Sequence, residues 1–373
     1  MEMKNQMIYQ GSVKNIYQSN RKNNIIFEFT DDYSLFDWGK MPCPIPEKGN
    51  TLGVIAQCLF QFLGNKYSFQ NWNHNHYNLN TTQLNILKKK GVNHHALIHS
   101  KNLGSNLLEV KNFQRIYPKH ISGKYDYSVF QNRDSLPENF MLPLEIIFRF
   151  GAPEGSSITK RVNNNPSYMK ELGLTSRINA DSIFLDPIIE FTTKLESTDR
   201  WLPVTEARNI SGLSDTQFNR LIDIVKIISC RLKDFFSDLD IELWDGKFEF
   251  AFDTNLSEFI LCDSIGPDEI RITKSNVQIS KEIFRKHYQN SLWYNAVKQA
   301  KAIAKSRSTV DWKEICLHEL NEPPEQLPEN LKQIGANLYK SLANIITSKI
   351  CGQTYFPSEK SINELTKSIE YFD

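Results

Sequence analysis

Residues 242–272, ELWDGKFEFAFDTNLSEFILCDSIGPDEIRI, leave the chain few ways to fold, because charged and apolar positions alternate along them. Successive side chains of a strand point to opposite faces, so Asp245, Lys247 and Glu249 project together while Phe248 and Phe250 turn the other way. Three charges on one face are not core. The pattern predicts a β-hairpin, with a strand over 241–252, a turn over 253–257 and a strand over 258–263 that places Asp263 near Glu249. Two carboxylates that close call for a cation. Mg2+, hard, oxygen-preferring and shared with nucleotide phosphates, is the natural one. The alternative is a solvated outer face closed by a cross-strand salt bridge.

Composition sets outer limits. The 373 residues are 40% hydrophobic and 23% charged, which suits two or three packed sub-domains around one cleft. A formal net charge of +1 gives no reason to expect a surface for nucleic acid or another polyanion. The opening MEMKNQMIYQGSVKNIY lacks the apolar core of a signal peptide, and no stretch nears the ~18 apolar residues of a membrane span, so a cytoplasmic protein is expected. Six cysteines, Cys43, Cys58, Cys230, Cys262, Cys316 and Cys351, form no CxxC pair; reduced, mostly buried thiols are expected, without a disulfide framework or structural zinc.

Along the chain, strands are expected over 7–17 and 24–30, then a long Pro- and Gly-rich loop over 31–50 and an amphipathic helix over 51–63. The Asn-rich stretch 69–83 reads as a surface excursion whose His74 and His76 are solvated rather than metal ligands. Strands over 96–99 and 106–116 follow, then the apolar run LPLEIIFRF at 142–150, where Arg149 at the end of a buried strand needs a partner. GAPEGSSITKR after it reads as a small-residue loop offering backbone N–H groups and the cations Lys160 and Arg161 to an anion. Helices are expected over 214–239, 281–304 and 329–349, with a weakly structured tail beyond 350. Near the start, GSVKNIY places Gly11 and Lys14 in a turn between strands; it is neither a Walker loop nor a Rossmann fingerprint.

GSVKNIY, FEFTDDYSLFDWGKMPCPIPEKG, LPLEIIFRF followed by GSSITKR, LWDGKFEF and LCDSIGPDEIR occur in the order and roughly the spacing of SAICAR synthetases. The chain resembles that family from about residue 8 to about 347, its closing helix included. The resemblance implies an α+β fold. It has an antiparallel-sheet N-terminal ATP-loop lobe over 1–117, a larger α+β substrate and magnesium lobe with closing helices over 118–350, a tail over 351–373, and the ATP site in the cleft between the lobes. By the same resemblance Gly11, Ser12, Lys14 and Lys111 serve ATP, and Lys247 with Glu249 and Asp263 supplies the active-site lysine and the two Mg2+ ligands. Asp37 and Lys48 belong to a loop closing on substrates, and Arg149, Ser156, Lys160 and Arg161 to the segment for substrate phosphate and carboxylate. Asp199 and Glu206 match a stretch for the second substrate, with Asp199 orienting or deprotonating the amine. Asp245 and Arg271 fall on further active-site positions.

The activity implied is ATP-dependent joining of a carboxylate to an amine through an acyl phosphate: carboxyaminoimidazole ribonucleotide plus L-aspartate giving SAICAR, ADP and phosphate in purine biosynthesis. The partners implied are small molecules, a ribonucleotide carboxylate and an amino acid, with no nucleic acid and no membrane; a homo-oligomer is left open. The chain departs from the pattern at Ser12, where the family has lysine, at Pro153 and Glu154 in a longer loop, at Ser264, at Ile272 and Thr273, and in an insertion between Tyr117 and Leu142. Two other readings stand beside the first: a paralogous ligase with another carboxylate or amine, and a non-catalytic protein on this scaffold.

Overall fold

The computed structural model describes residues 6–98, 104–121, 124–132, 136–153, 155–196, 198–307, 311–357 and 360–370. His99 and Glu154 lie outside them. The strands are β1 (Met7–Gln10), β2 (Lys14–Gln18), β3 (Asn24–Phe29), β4 (Ala96–Leu97), β5 (Leu107–Lys111), β6 (Lys119–Ile121), β7 (Lys124–Asp126), β8 (Asn139–Ala152), β9 (Ser182–Thr193), β10 (Trp201–Leu202), β11 (Glu242–Asp253), β12 (Glu258–Cys262), β13 (Ile270–Lys274) and β14 (Val277–Gln278). Two compact units emerge: Met1–Cys58 with Ile98–Val110 and Lys274–Asp373, and Leu59–Leu97 with Lys111–Thr273.

In the first unit β1, β2, β3 and β5 lie side by side, with β1–β2 and β2–β3 antiparallel. Alternation decides the buried face: Ile25, Phe27 and Phe29 go in, Asn24, Ile26 and Glu28 less so. The Gly11 N–H closes the β1–β2 turn on the Lys14 carbonyl at 3.0 Å, and a Cβ at Gly11 would run into that carbonyl oxygen. The Asp31 carboxylate accepts the N–H groups of Glu47 (3.1 Å) and Gly49 (2.9 Å), satisfying donors where helix Lys48–Gly64 begins. That helix is buried on nearly every side rather than along one stripe, because GVIAQCLF is apolar all round.

Residues beyond 350 also differ from expectation. Helix Ile362–Glu370 buries Ile362, Leu365 and Ile369 against helix Glu329–Cys351 and β14. Its start is a reciprocal cap: the Ser361 N–H donates to Glu364 Oε2 at 2.7 Å, and the Glu364 N–H donates to Ser361 Oγ at 3.3 Å.

The second unit is built on a long sheet in the order β10-β9-β8-β11-β13, with β12 also paired to β11. The expected hairpin is present as β11 and β12, with Glu249 opposite Cys262. β9 has no counterpart among the expected elements, and β8 starts earlier and ends later than the apolar run implies. Helix Asp215–Ser237 starts with a capping box of Ser214 and Gln217 and lays Phe218, Leu221, Val225 and Leu232 toward the sheet. One sheet face is apolar: Phe148 stacks on Phe248 at 4.7 Å, and Phe191 meets Phe218 of the helix at 5.1 Å. The stretch around His74 and His76 is tied down rather than free, since Trp72 Nε1 and the Tyr77 hydroxyl both donate to Asp234, at 2.6 and 2.7 Å. His74 sits 3.0 Å from Lys88, and among the described residues no cluster of three His, Cys, Asp or Glu is placed to hold a metal by itself.

Candidate active site

The opposite face of the second unit's sheet carries the charge. Register places Asp245 across from Arg149 and Arg271, Lys247 across from Ile147, and Glu249 across from Glu145, while Glu190 of β9 stands opposite Ile147. Period-2 alternation therefore stacks Glu145, Arg149, Glu190, Asp245, Lys247 and Glu249 on one side. Most of these are nearly buried.

Arg149 has the partner its sequence position demands, and has two. Its Nε donates to Glu190 Oε2 at 2.5 Å and its Nη1 to Asp245 Oδ2 at 2.6 Å. Glu190, wholly buried, also accepts from Arg161 Nη2 at 2.6 Å and from the Tyr168 hydroxyl at 2.7 Å. Burial opposes ionisation of Glu190, but Arg149, Arg161 and Tyr168 outweigh it and hold its carboxyl below the usual range. The Arg161 guanidinium lies 3.3 Å from the Trp201 ring centroid, a cation–π stack that fixes its plane. Arg271 approaches Asp245 at 3.7 Å.

The second knot is the acid pair. Lys194 Nζ bridges Glu145 Oε1 at 2.9 Å and Glu249 Oε1 at 2.7 Å, and Lys247 Nζ donates to Glu145 Oε1 at 2.6 Å. Burial pushes the Glu249 carboxyl up, and the charges of Asp263 and Glu145 push it the same way against Lys194 and Lys247. Glu145, held by Lys247 and Lys194 against its burial, shifts down. Glu249 thus keeps a raised carboxyl despite its 2.7 Å ion pair with Lys194, whose ammonium lies close to its Oε1 without a well-directed hydrogen bond. Asp263 follows β12 in a left-handed backbone, φ 63°, and its charge reaches Glu249, Lys247 and Lys194.

The structure thus gathers Arg149, Arg161, Asp245, Lys247, Glu249, Asp263 and Arg271 and adds Glu145, Glu190, Lys194 and Trp201, which sequence reasoning did not assign. A lone Glu inside the apolar run IIEFTT was the available signal for Glu190. The segment after Arg149 is not one loop: β8 runs to Ala152, and helix Ser157–Asn164 begins after Ser156, so Lys160 and Arg161 are helical. Ser156 is buried with no hydrogen-bond partner for its Oγ among the described residues, and Lys160 is exposed. Glu206 pairs with Arg200 at 2.9 Å, and Asp199 is exposed just before β10. Lys111 ends β5 exposed, and its charge together with burial lowers the neighbouring His94 to about 4. In the first unit, Ser12 lies in the Gly11 turn, and Lys14 Nζ stands 4.8 Å from the Phe27 ring centroid. Asp37 pairs with Lys301 at 2.7 Å. Lys48 is fully buried, with its Nζ 3.2 Å from the Asp32 carbonyl.

The fold, an antiparallel N-terminal sheet followed by a larger α+β region, is the SAICAR synthetase fold. A SAICAR synthase from Saccharomyces cerevisiae complexed with SAICAR matches with a TM-score of 0.59 over 95% of this chain and 97% of that one, at 18% identity. A SAICAR synthetase in complex with ADP matches with a TM-score of 0.52 over 86% of this chain and 100% of the other, at 21% identity. The family model described as SAICAR synthetase matches residues 7–301. The chain belongs to the SAICAR synthetase family. A protein of Archaeoglobus fulgidus, provisionally named a phosphoribosylaminoimidazole-succinocarboxamide synthase, is 32% identical over 335 residues, 90% of each chain. The phosphoribosylaminoimidazole-succinocarboxamide synthase of Thermoplasma acidophilum is 23% identical over 351 residues, 92% of this chain and 99% of its own length.

Proposed function

We propose that this chain is an ATP-dependent ligase of purine biosynthesis that condenses carboxyaminoimidazole ribonucleotide with L-aspartate to SAICAR, ADP and phosphate. Full-length family membership supports the reading, and the buried charged face around Lys247, Glu249 and Asp263 is the observation that carries it. Glu249 is buried and Lys247 and Asp263 are half-buried, and charges gathered that far from water are costly unless they are paired or a ligand uses them. No helix among the described residues is long and apolar enough to cross a membrane.

In this reading Gly11, Ser12, Lys14 and Lys111 hold the nucleotide. Glu249 and Asp263 fit Mg2+: they are hard oxygen donors, and burial and the neighbouring acids raise the Glu249 carboxyl even with Lys194 beside it, so a further cation would be favoured there. Two protein carboxylates suffice for a Mg2+ shared with phosphates, whose charge it would help neutralise when bound. Lys247 stabilises charge on the transferred phosphoryl group, since this chemistry needs positioning and neutralisation more than covalent help. Arg271, Ser156, Lys160 and Arg161 grip the ribonucleotide's phosphate and carboxylate, while Arg149, expected to join them, is buried and committed to Asp245 and Glu190 beneath them. Asp37 belongs to the substrate-facing loop, whereas Lys48, expected there too, is fully buried at the start of helix Lys48–Gly64. Asp199 and Glu206 belong to the stretch that receives the amino acid, with Asp199 taking the proton its amine must lose before attack on the acyl phosphate.

The experiment is ADP release by the purified protein with ATP, Mg2+ and carboxyaminoimidazole ribonucleotide, each amino acid added in turn. Turnover that needs both the ribonucleotide and aspartate is expected. ADP release that needs a different carboxylate or amine would replace this reading with a paralogous ligase, which the longer connection between β8 and helix Ser157–Asn164 favours.

A further inference from the structure

We propose that His95 is a positioning residue that aims the Asp263 carboxylate by holding the Asp263 backbone. The inference rests on the reading of Asp263 as a metal-binding acid. His95 is 3% exposed, and its Nε2 lies 3.0 Å from the Asp263 carbonyl oxygen. A carbonyl only accepts, so Nε2 carries the proton and donates it.

The imidazole is itself held by its own backbone and by packing. The His95 N–H donates to the Leu261 carbonyl at 3.0 Å, and the Leu261 N–H donates to the Asn93 carbonyl at 2.9 Å, so residues 93–95 run alongside the end of β12. The His95 carbonyl accepts the Lys111 N–H at 2.9 Å, and the ring meets Phe60 edge-on at 5.5 Å. A short length of chain pinned at both ends thus delivers the Nε2 donor to the Asp263 carbonyl.

That carbonyl belongs to a residue that needs a restraint. Asp263 comes one position after the last β11–β12 pair, Glu249 with Cys262, and turns into the left-handed region at φ 63°. A residue with a Cβ adopts that backbone at a cost and keeps it when its surroundings over-determine it. The bend keeps the carboxylate where its charge reaches Glu249, Lys247 and Lys194. If the carbonyl is released the bend relaxes, and the two carboxylates lose their fixed spacing. In this arrangement His95 acts through the Asp263 backbone.

The test needs no turnover: Mn2+ affinity in the presence of ADP, read by electron paramagnetic resonance, for wild type, His95→Leu, His95→Gln and Asp263→Asn, beside thermal unfolding of each. Outer-shell partners of metal ligands typically carry about 10–100-fold in metal affinity. His95→Leu is expected to weaken Mn2+ by that factor, and His95→Gln, whose amide N–H reaches as far as Nε2, to recover most of it. Wild-type affinity in His95→Leu with loss in Asp263→Asn would overturn the role of His95 and leave the acid pair standing. Wild-type affinity in Asp263→Asn would remove the acid-pair reading and this proposal with it. Where His95→Leu does not fold, His95→Asn replaces it, its amide falling short of the carbonyl; equal affinity in the Asn and Gln variants would likewise overturn the proposal.

Discussion

Glu190→Gln tests whether the charged face is held together by charge or only by shape. The Glu190 side chain is 0% exposed, and its partners Arg149 and Arg161 are 7% and 19% exposed, so water compensates little of what is lost. Glutamine keeps the volume but supplies one acceptor oxygen where three donors converge, and turns an N–H toward the others. Removing one partner of a buried ion pair costs about 3–5 kcal/mol. Arg149 retains Asp245, and Arg161 retains Ser157 and the face of Trp201, which puts the expected loss near the lower bound, about 3 kcal/mol. Equilibrium urea denaturation followed by tryptophan fluorescence reads it, because Trp201 lies under Arg161. The pH dependence has a definite sign. The folded Glu190 carboxyl titrates below its unfolded range, so its contribution is full above about pH 4.5–5 and is lost as pH falls through the folded value. The gap between wild type and Glu190→Gln should therefore close in acid. A loss under about 1 kcal/mol at pH 7, or a gap unchanged at pH 3, would refute the charge-based account.

Gly246→Ala should cost about 1–3 kcal/mol by overpacking, since a Cβ there would sit 2.6 Å from Phe148 Cζ and 2.8 Å from Ile270 Cγ2; a thermal midpoint equal to wild type would contradict the packing. His94, lowered to about 4 by burial and by the Lys111 charge, is neutral in the fold and protonates more readily when unfolded. Its contribution is present above about pH 6.5 and is lost as pH falls from there toward 4, worth roughly 3 kcal/mol at most. His94→Phe should flatten that part of the stability profile.

The side-chain alternation of β11 was legible because a strand's period depends only on local sequence: Asp245, Lys247 and Glu249 declared a common face. Their partners were not legible in the same way. Glu190 meets Arg149 only because β9 pairs with β8 in a register that sets Ile188 opposite Arg149, a long-range fact that no window of residues contains. Lys194 lies just past β9 and meets Glu249 and Glu145 on the charged face of the sheet. The helix Ile362–Glu370 was readable in principle, since SINE is a capping box ahead of apolar residues at helical spacing, but its stability comes from packing on helix Glu329–Cys351 rather than from propensity. The backbone at Asp263 follows from tertiary restraint, with no glycine to announce it.

The discontinuity of the first unit sets an order on synthesis. The strands β8, β9 and β11 are all complete by residue 253, so their sheet can pair while later residues are still being made. The first unit must wait for Lys274–Asp373: Tyr33 meets Tyr288 at 3.2 Å, and Phe284 stacks on Tyr339 only once both have left the ribosome. At about 5–20 residues per second, the stretch from the end of helix Lys48–Gly64 to Asp373 takes about 15–60 s to make. For that interval the N-terminal strands and the apolar helix that follows them have no finished core to enter, which makes them the part of the nascent chain most in need of a chaperone.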